Sequence, residues 1–183
     1  MDKFYEVALG GEKFQLPVMK ISDKEGIAVF DMLSSRKMAK CASESVCQLA
    51  EEYRGKVDIV LSAESKGIIL ADRVADKLNC DMVILRKEKK LYYKSVISAG
   101  VDTYTNKKHE LYLDASRVGS LAGKRVLIVD DVVSTGSSLS AMETIMESIG
   151  AKVEGKLFVF AEGNAYLRSD VKFVGVLPIL KEE

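Results

Sequence analysis

The chain has 183 residues, 48% hydrophobic and 30% charged, and its 27 Lys plus Arg balance 27 Asp plus Glu to a formal net charge of zero. That length suits one domain with a substantial core, and the expectation is a single domain over residues 1–183. The neutral total offers no basic surplus for nucleic acid, no run approaches the ~18–20 apolar residues of a membrane span, and Met1 to Gly10 lacks the apolar run of a signal peptide.

Cys41, Cys47 and Cys80 are an odd set without metal-ligand spacing, which fits a reducing compartment and a cytoplasmic protein. His109 alone cannot build a His-rich metal site.

Tyr5 to Leu9 and Phe14 to Met19 read as two strands joined through Gly10-Gly11, a hairpin turn. An amphipathic helix follows from about Ser35 to Tyr53, with Met38, Ala42, Val46, Leu49 and Tyr53 as its apolar stripe. Val57 to Leu61 reads as a buried strand, Gly67 to Leu78 as a helix and Met82 to Leu85 as a second buried strand. From Arg86 to Glu110 the periodicity dissolves, which predicts a long, mobile, functional loop. Beyond it come a short strand at Leu111 to Leu113, a strand from Arg125 to Val129, a helix from Ser138 to Ile149, and strands at Val153 to Phe160 and Lys172 to Leu177. Strands alternating with helices predict an α/β fold with a doubly wound parallel sheet, and the N-terminal hairpin is expected to sit apart from it.

The informative segment begins at Val126-Leu127-Ile128-Val129, which delivers Asp130 and Asp131 to a strand's carboxyl end, the edge where open α/β sheets bind ligands. Ser134-Thr135-Gly136-Ser137-Ser138 then runs into a helix. Small hydroxyl residues around a glycine let backbone N–H groups converge on an anion, and the helix N-terminus adds favourable partial charge. Two carboxylates suit a sugar diol rather than a phosphate. Together these features describe a ribose 5-phosphate site. A Walker loop and a dinucleotide fingerprint are both absent from the sequence. A phospho-acceptor receiver domain could supply an acidic pair but leaves the serine-rich loop unexplained.

Val126 to Ser138 resembles, at all thirteen positions, the phosphoribosyl-pyrophosphate signature of type I phosphoribosyltransferases. Two further segments resemble the adenine branch of that family. Glu64-Ser65-Lys66-Gly67 is similar to its Glu-Ser-Arg-Gly pyrophosphate loop, with a lysine that pairs as a point charge and lacks the arginine fork. Arg86-Lys87-Glu88-Lys89-Lys90-Leu91 is similar to its Arg-Lys-x-x-Lys-Leu, which precedes a loop that closes over the substrate. The resemblance implies a type I phosphoribosyltransferase fold with a small N-terminal β-hairpin hood over residues 1–34. It implies transfer of ribose 5-phosphate from 5-phosphoribosyl-1-pyrophosphate to a purine, adenine first and hypoxanthine, guanine or xanthine as alternatives. A sensor that binds the sugar pyrophosphate without catalysis is a further alternative. In this reading Asp130 and Asp131 hold the ribose hydroxyls, and Ser134, Thr135, Gly136, Ser137 and Ser138 hold the 5-phosphate. Glu64, Ser65, Lys66, Gly67, Arg86, Lys87 and Lys90 serve the pyrophosphate, with Lys87 also counted catalytic beside the acids. Mg2+ is expected to arrive on the substrate pyrophosphate, and a homodimer is expected. The adenine branch carries a loop glutamate where Thr105 stands here, with Glu110 five residues on. His109, the loop tyrosines Tyr92, Tyr93 and Tyr104, and the hood candidates Phe14 and Phe30 are read as ordinary surface or core.

Overall fold

The computed structural model describes residues 4–101 and 109–181. At its centre is a five-stranded sheet in the order β10-β9-β8-β4-β5, built from β4 (Ile59–Ala63), β5 (Asp81–Leu85), β8 (Arg125–Val133), β9 (Lys152–Glu162) and β10 (Lys172–Leu177). Every pairing within it is parallel. Strands buried on both faces need apolar side chains on both, and all five residues of β4 and Val126 to Val129 of β8 are buried.

Alternation along β8 feeds two cores. Leu127 and Val129 pack with α1 (Arg36–Ala50) and α2 (Gly67–Leu78), whereas Val126 and Ile128 pack with α3 (Val118–Leu121) and α4 (Ser137–Ser148). Helices therefore cover both faces, as the doubly wound reading expects. The hood is a separate antiparallel sheet in the order β1-β2-β3-β11, formed by β1 (Phe4–Leu9), β2 (Glu12–Lys20), β3 (Glu25–Ala28) and β11 (Ile179–Lys181). Gly10 and Gly11, at φ +61° and +79°, make the turn that joins β1 to β2.

Several boundaries differ from the sequence reading. The first helix stops at Ala50, and Glu51–Tyr53 is a 310 turn. β8 runs on to Val133, so Asp130 and Asp131 lie within the strand rather than beyond it. The expected continuous loop from Arg86 to Glu110 is also corrected. β6 (Val96–Val101) and β7 (His109–Asp114) form an antiparallel ribbon whose Val101, Leu111 and Leu113 are buried in the α4-side core. Thr105 and Tyr104 lie outside the described residues, and His109 and Glu110 are exposed at the start of β7.

Candidate active site

The acidic pair, the hydroxyl loop and the Glu64–Gly67 turn meet at the carboxyl edge of the central sheet, between β4, β5, β8 and β9. Asp130, Val132, Val133, the whole Ser134 to Ser138 loop and Leu139 line a cleft of about 250 Å³ that Val101, Phe158 and Glu162 complete. Thr135 Oγ1 lies 3.0 Å from Ser137 Oγ and accepts a 3.3 Å bond from the Ser137 amide, which sets the turn. Gly136, at φ +84°, is the N-cap of α4 and gives it no side-chain cap.

A second helix start faces the same edge. The Glu64–Ser65 peptide is cis, Lys66 is the N-cap of α2, and no side chain caps that helix either. The contrast with α1 is informative, because there Ser35 accepts a 3.2 Å bond from the Met38 amide. An uncapped first turn presents N–H groups and the positive end of the helix dipole to an anion. The site has two helix starts whose N-cap residue supplies no cap, although Thr135 Oγ1 takes the Ser137 amide at the first position of α4.

Strand alternation sends the adjacent carboxylates to different neighbours. Asp130 faces the cleft and abuts Gly67, where an added Cβ would lie 2.5 Å from Asp130 Oδ1 and 2.1 Å from Ser62 Oγ. Only a glycine permits that approach. Asp130 Oδ1 also accepts a 2.9 Å bond from the Asp131 amide. Asp131, nearly buried, has its Oδ2 2.6 Å from Lys66 Nζ, which also donates to the Phe30 carbonyl at 2.9 Å. Lys66 therefore ties the segment leaving the hood to the acidic pair. Burial, reinforced by the Asp131 carboxylate, raises the Asp130 pKa well above the ordinary aspartate value.

The cations of the Arg86 segment gather on Glu64. Arg86 Nη1 donates to Glu64 Oε1 at 2.5 Å, the Lys87 amide to Oε2 at 2.9 Å, and Lys90 Nζ stands 3.9 Å away. Backbone bonds in both directions between Arg86 and Tyr112 of β7 fix the start of this segment. Tyr92 and Tyr93 stack edge to face at 5.0 Å beside Arg86, and Tyr92 is largely exposed. The structure thus places the acidic pair next to the Ser134 to Ser138 loop and the Glu64–Gly67 turn, with Lys66 paired to Asp131 and with Arg86 and Lys90 paired to Glu64.

The sequence reading missed the Phe30 carbonyl and Glu162. Topology offered a signal for Glu162, which ends the strand beside β8 on the ligand-binding edge. Phe30 is buried, as expected of core, and meets Phe160 edge-on at 4.9 Å. Phe14 is half-buried against the same core.

Residues 31–180 match the phosphoribosyl transferase domain model. The adenine phosphoribosyltransferase of Brachyspira hyodysenteriae is 31% identical over 142 residues, 74% of this chain and 78% of that one. The chain belongs to the phosphoribosyltransferase family. Solved adenine phosphoribosyltransferases share the fold. The Thermoanaerobacter pseudethanolicus structure superposes with a TM-score of 0.67 at 23% identity, covering 95% of each chain. The Saccharomyces cerevisiae enzyme, solved with an imino-altritol bisphosphate and adenine, gives 0.65 at 19% identity over 93% of this chain and 92% of that one.

Proposed function

We propose that this phosphoribosyltransferase transfers ribose 5-phosphate from 5-phosphoribosyl-1-pyrophosphate to adenine, giving AMP and pyrophosphate. The observation that carries the reading is the pair of uncapped helix N-termini flanking Asp130 and Asp131. Two anion cradles with carboxylates between them match a sugar with a phosphate at one end and a pyrophosphate at the other.

In this mechanism the Ser134 to Ser138 loop holds the 5-phosphate through backbone amides and hydroxyls. Asp130 and Asp131 accept bonds from the ribose hydroxyls, and their charge favours the cation that develops as the C1–oxygen bond breaks. Lys66, Arg86, Lys87 and Lys90 stabilise the departing pyrophosphate. Asp131 pairs with Lys66, and Glu64 with Arg86 and Lys90, which holds these cations at the edge where the pyrophosphate would bind. The adenine nitrogen then attacks C1 as the C1–oxygen bond to pyrophosphate breaks, and its proton passes to water, leaving the base neutral.

Magnesium fits this site as a passenger on the pyrophosphate. Hard cations take oxygen ligands, and Asp130 and Asp131 on the same edge are the carboxylates that would help to hold it. The ion would neutralise pyrophosphate charge; the chain's own residues do the positioning.

Adenine is favoured over 6-oxopurines by the similarity to adenine phosphoribosyltransferases over most of the chain. A homodimer in the cytoplasm completes the proposal, and sedimentation tests the dimer. No helix among the described residues is long and apolar enough to cross a membrane.

Incubation with 5-phosphoribosyl-1-pyrophosphate, Mg2+ and a panel of purines, read by chromatography, tests the acceptor. AMP should form at least about tenfold faster than any 6-oxopurine nucleotide, since a buried polar mismatch costs about 1–3 kcal/mol. A tenfold preference for hypoxanthine or guanine would overturn adenine and leave the transferase standing. Binding of the sugar without any base reacting would favour the sensor.

A further inference from the structure

Arg168 follows the short turn Gly163–Leu167 and leads toward β10. Its guanidinium forms a two-point fork with Asp170: Nε donates to Oδ1 at 3.0 Å and Nη2 to Oδ2 at 2.8 Å. The remaining nitrogen turns toward the anion loop. A Cβ built on Gly136 would lie 2.6 Å from Arg168 Nη1, so the guanidinium rests on the glycine at the centre of Ser134 to Ser138.

The fork is itself anchored. Asp170 Oδ2 also takes Lys156 Nζ at 2.9 Å, and Lys156, only 16% exposed in its side chain, pairs with Glu143 of α4. Arg168, Asp170, Lys156 and Glu143 thus form a chain of alternating charge. It begins at the loop's glycine, crosses β9 and ends on the helix that the loop starts. Residues 132–139 contain no cationic side chain of their own. A phosphate dianion held there gains from a nearby positive charge, and more so in a cleft than in open water.

We propose that Arg168 is a positioning residue for the sugar 5-phosphate, resting on the phosphoribosyl-pyrophosphate reading above. It packs on Gly136 so that the loop amides stay convergent, and it sets a guanidinium beside the bound dianion. Asp170 fixes its orientation, and Glu143 ties the same network to α4. A surface ion pair with no tie to the ligand would leave the ratio of ribose 5-phosphate to pyrophosphate affinity unchanged.

Calorimetry on the full chain, with ribose 5-phosphate and pyrophosphate titrated separately, distinguishes these cases. Arg168→Gln should weaken ribose 5-phosphate by about fivefold or more, while pyrophosphate changes by less than about twofold. Arg168→Lys, which keeps the charge and loses the fork, should fall between Gln and the parent chain. In steady state the loss should fall on KM for the sugar substrate and not on KM for the base. A ribose 5-phosphate change below fivefold, or equal weakening of both ligands, would overturn the role of Arg168. A parent chain that binds no ribose 5-phosphate would instead overturn the phosphoribosyl reading itself.

Discussion

Asp130 sits where three demands compete: a strand that buries alternate side chains, a glycine that lets the carboxylate approach, and a neighbouring acid that repels its charge. Burial and Asp131 hold its proton more tightly in the folded chain than in the unfolded one. The folded chain therefore binds more protons from about pH 4, the ordinary aspartate value, up to the raised value, and stability falls as pH rises through that window. Asp58 beside Arg125, and Asp170 beside Arg168 and Lys156, behave oppositely. Their pKa values are lowered, so their stabilisation is present above about pH 4 and lost as pH falls through the lowered values. Asp130→Asn should raise the melting temperature at pH 7.5 by roughly 2–4 °C, the shift for about 1 kcal/mol in a chain of this size, and by less at pH 4. Equal shifts at both pH values in thermal melts would refute the assignment. A stabilising substitution that also removes sugar binding is the trade expected of an active-site acid.

At the scale of elements, the hood and the central sheet meet through an aromatic pair. Phe160 on β9 is 1% exposed and supports Phe30 edge-on, and the Phe30 carbonyl reaches Lys66. Phe160→Ala should cost about 3–5 kcal/mol in urea denaturation, as burial and the ring contact are lost together. A loss under about 1 kcal/mol would mean that the hood does not lean on this ring. What could be read from sequence follows the strength of local pattern. β4 and β8 are apolar runs, and α2 and α4 carry clear stripes, so those elements and the turns between them were legible. β3 and β11 were not. Glu25–Ala28 contains a glycine and pairs with β2 on one side and β11 on the other, and the three-residue Ile179–Lys181 becomes a strand by pairing with β3, a segment about 150 residues away. The β6–β7 ribbon escaped for a related reason. Ser98, Ala99 and Gly100 dilute its alternation, and its burial comes from α4, which no local window contains. Arg168 was invisible likewise: its partner Gly136 is remote in sequence, and neither residue advertises the other.

Across the whole molecule, the parallel sheet does the placing. Its carboxyl edge collects the ends of β4, β8 and β9, two uncapped helix starts and a ring of cations that balance nearby acids. The zero net charge of the chain conceals this local arrangement, because Lys66, Arg86 and Lys90 are matched by Asp131 and Glu64. The most direct measurement is calorimetric titration of 5-phosphoribosyl-1-pyrophosphate with Mg2+ into the parent chain and into the folded Asp130→Asn, Asp131→Asn double variant. The parent chain should bind saturably, and the double variant should lose at least about a hundredfold, since each charged hydrogen bond removed is worth roughly 1.5–3 kcal/mol. Unchanged affinity in a double variant that still melts cooperatively would contradict the site.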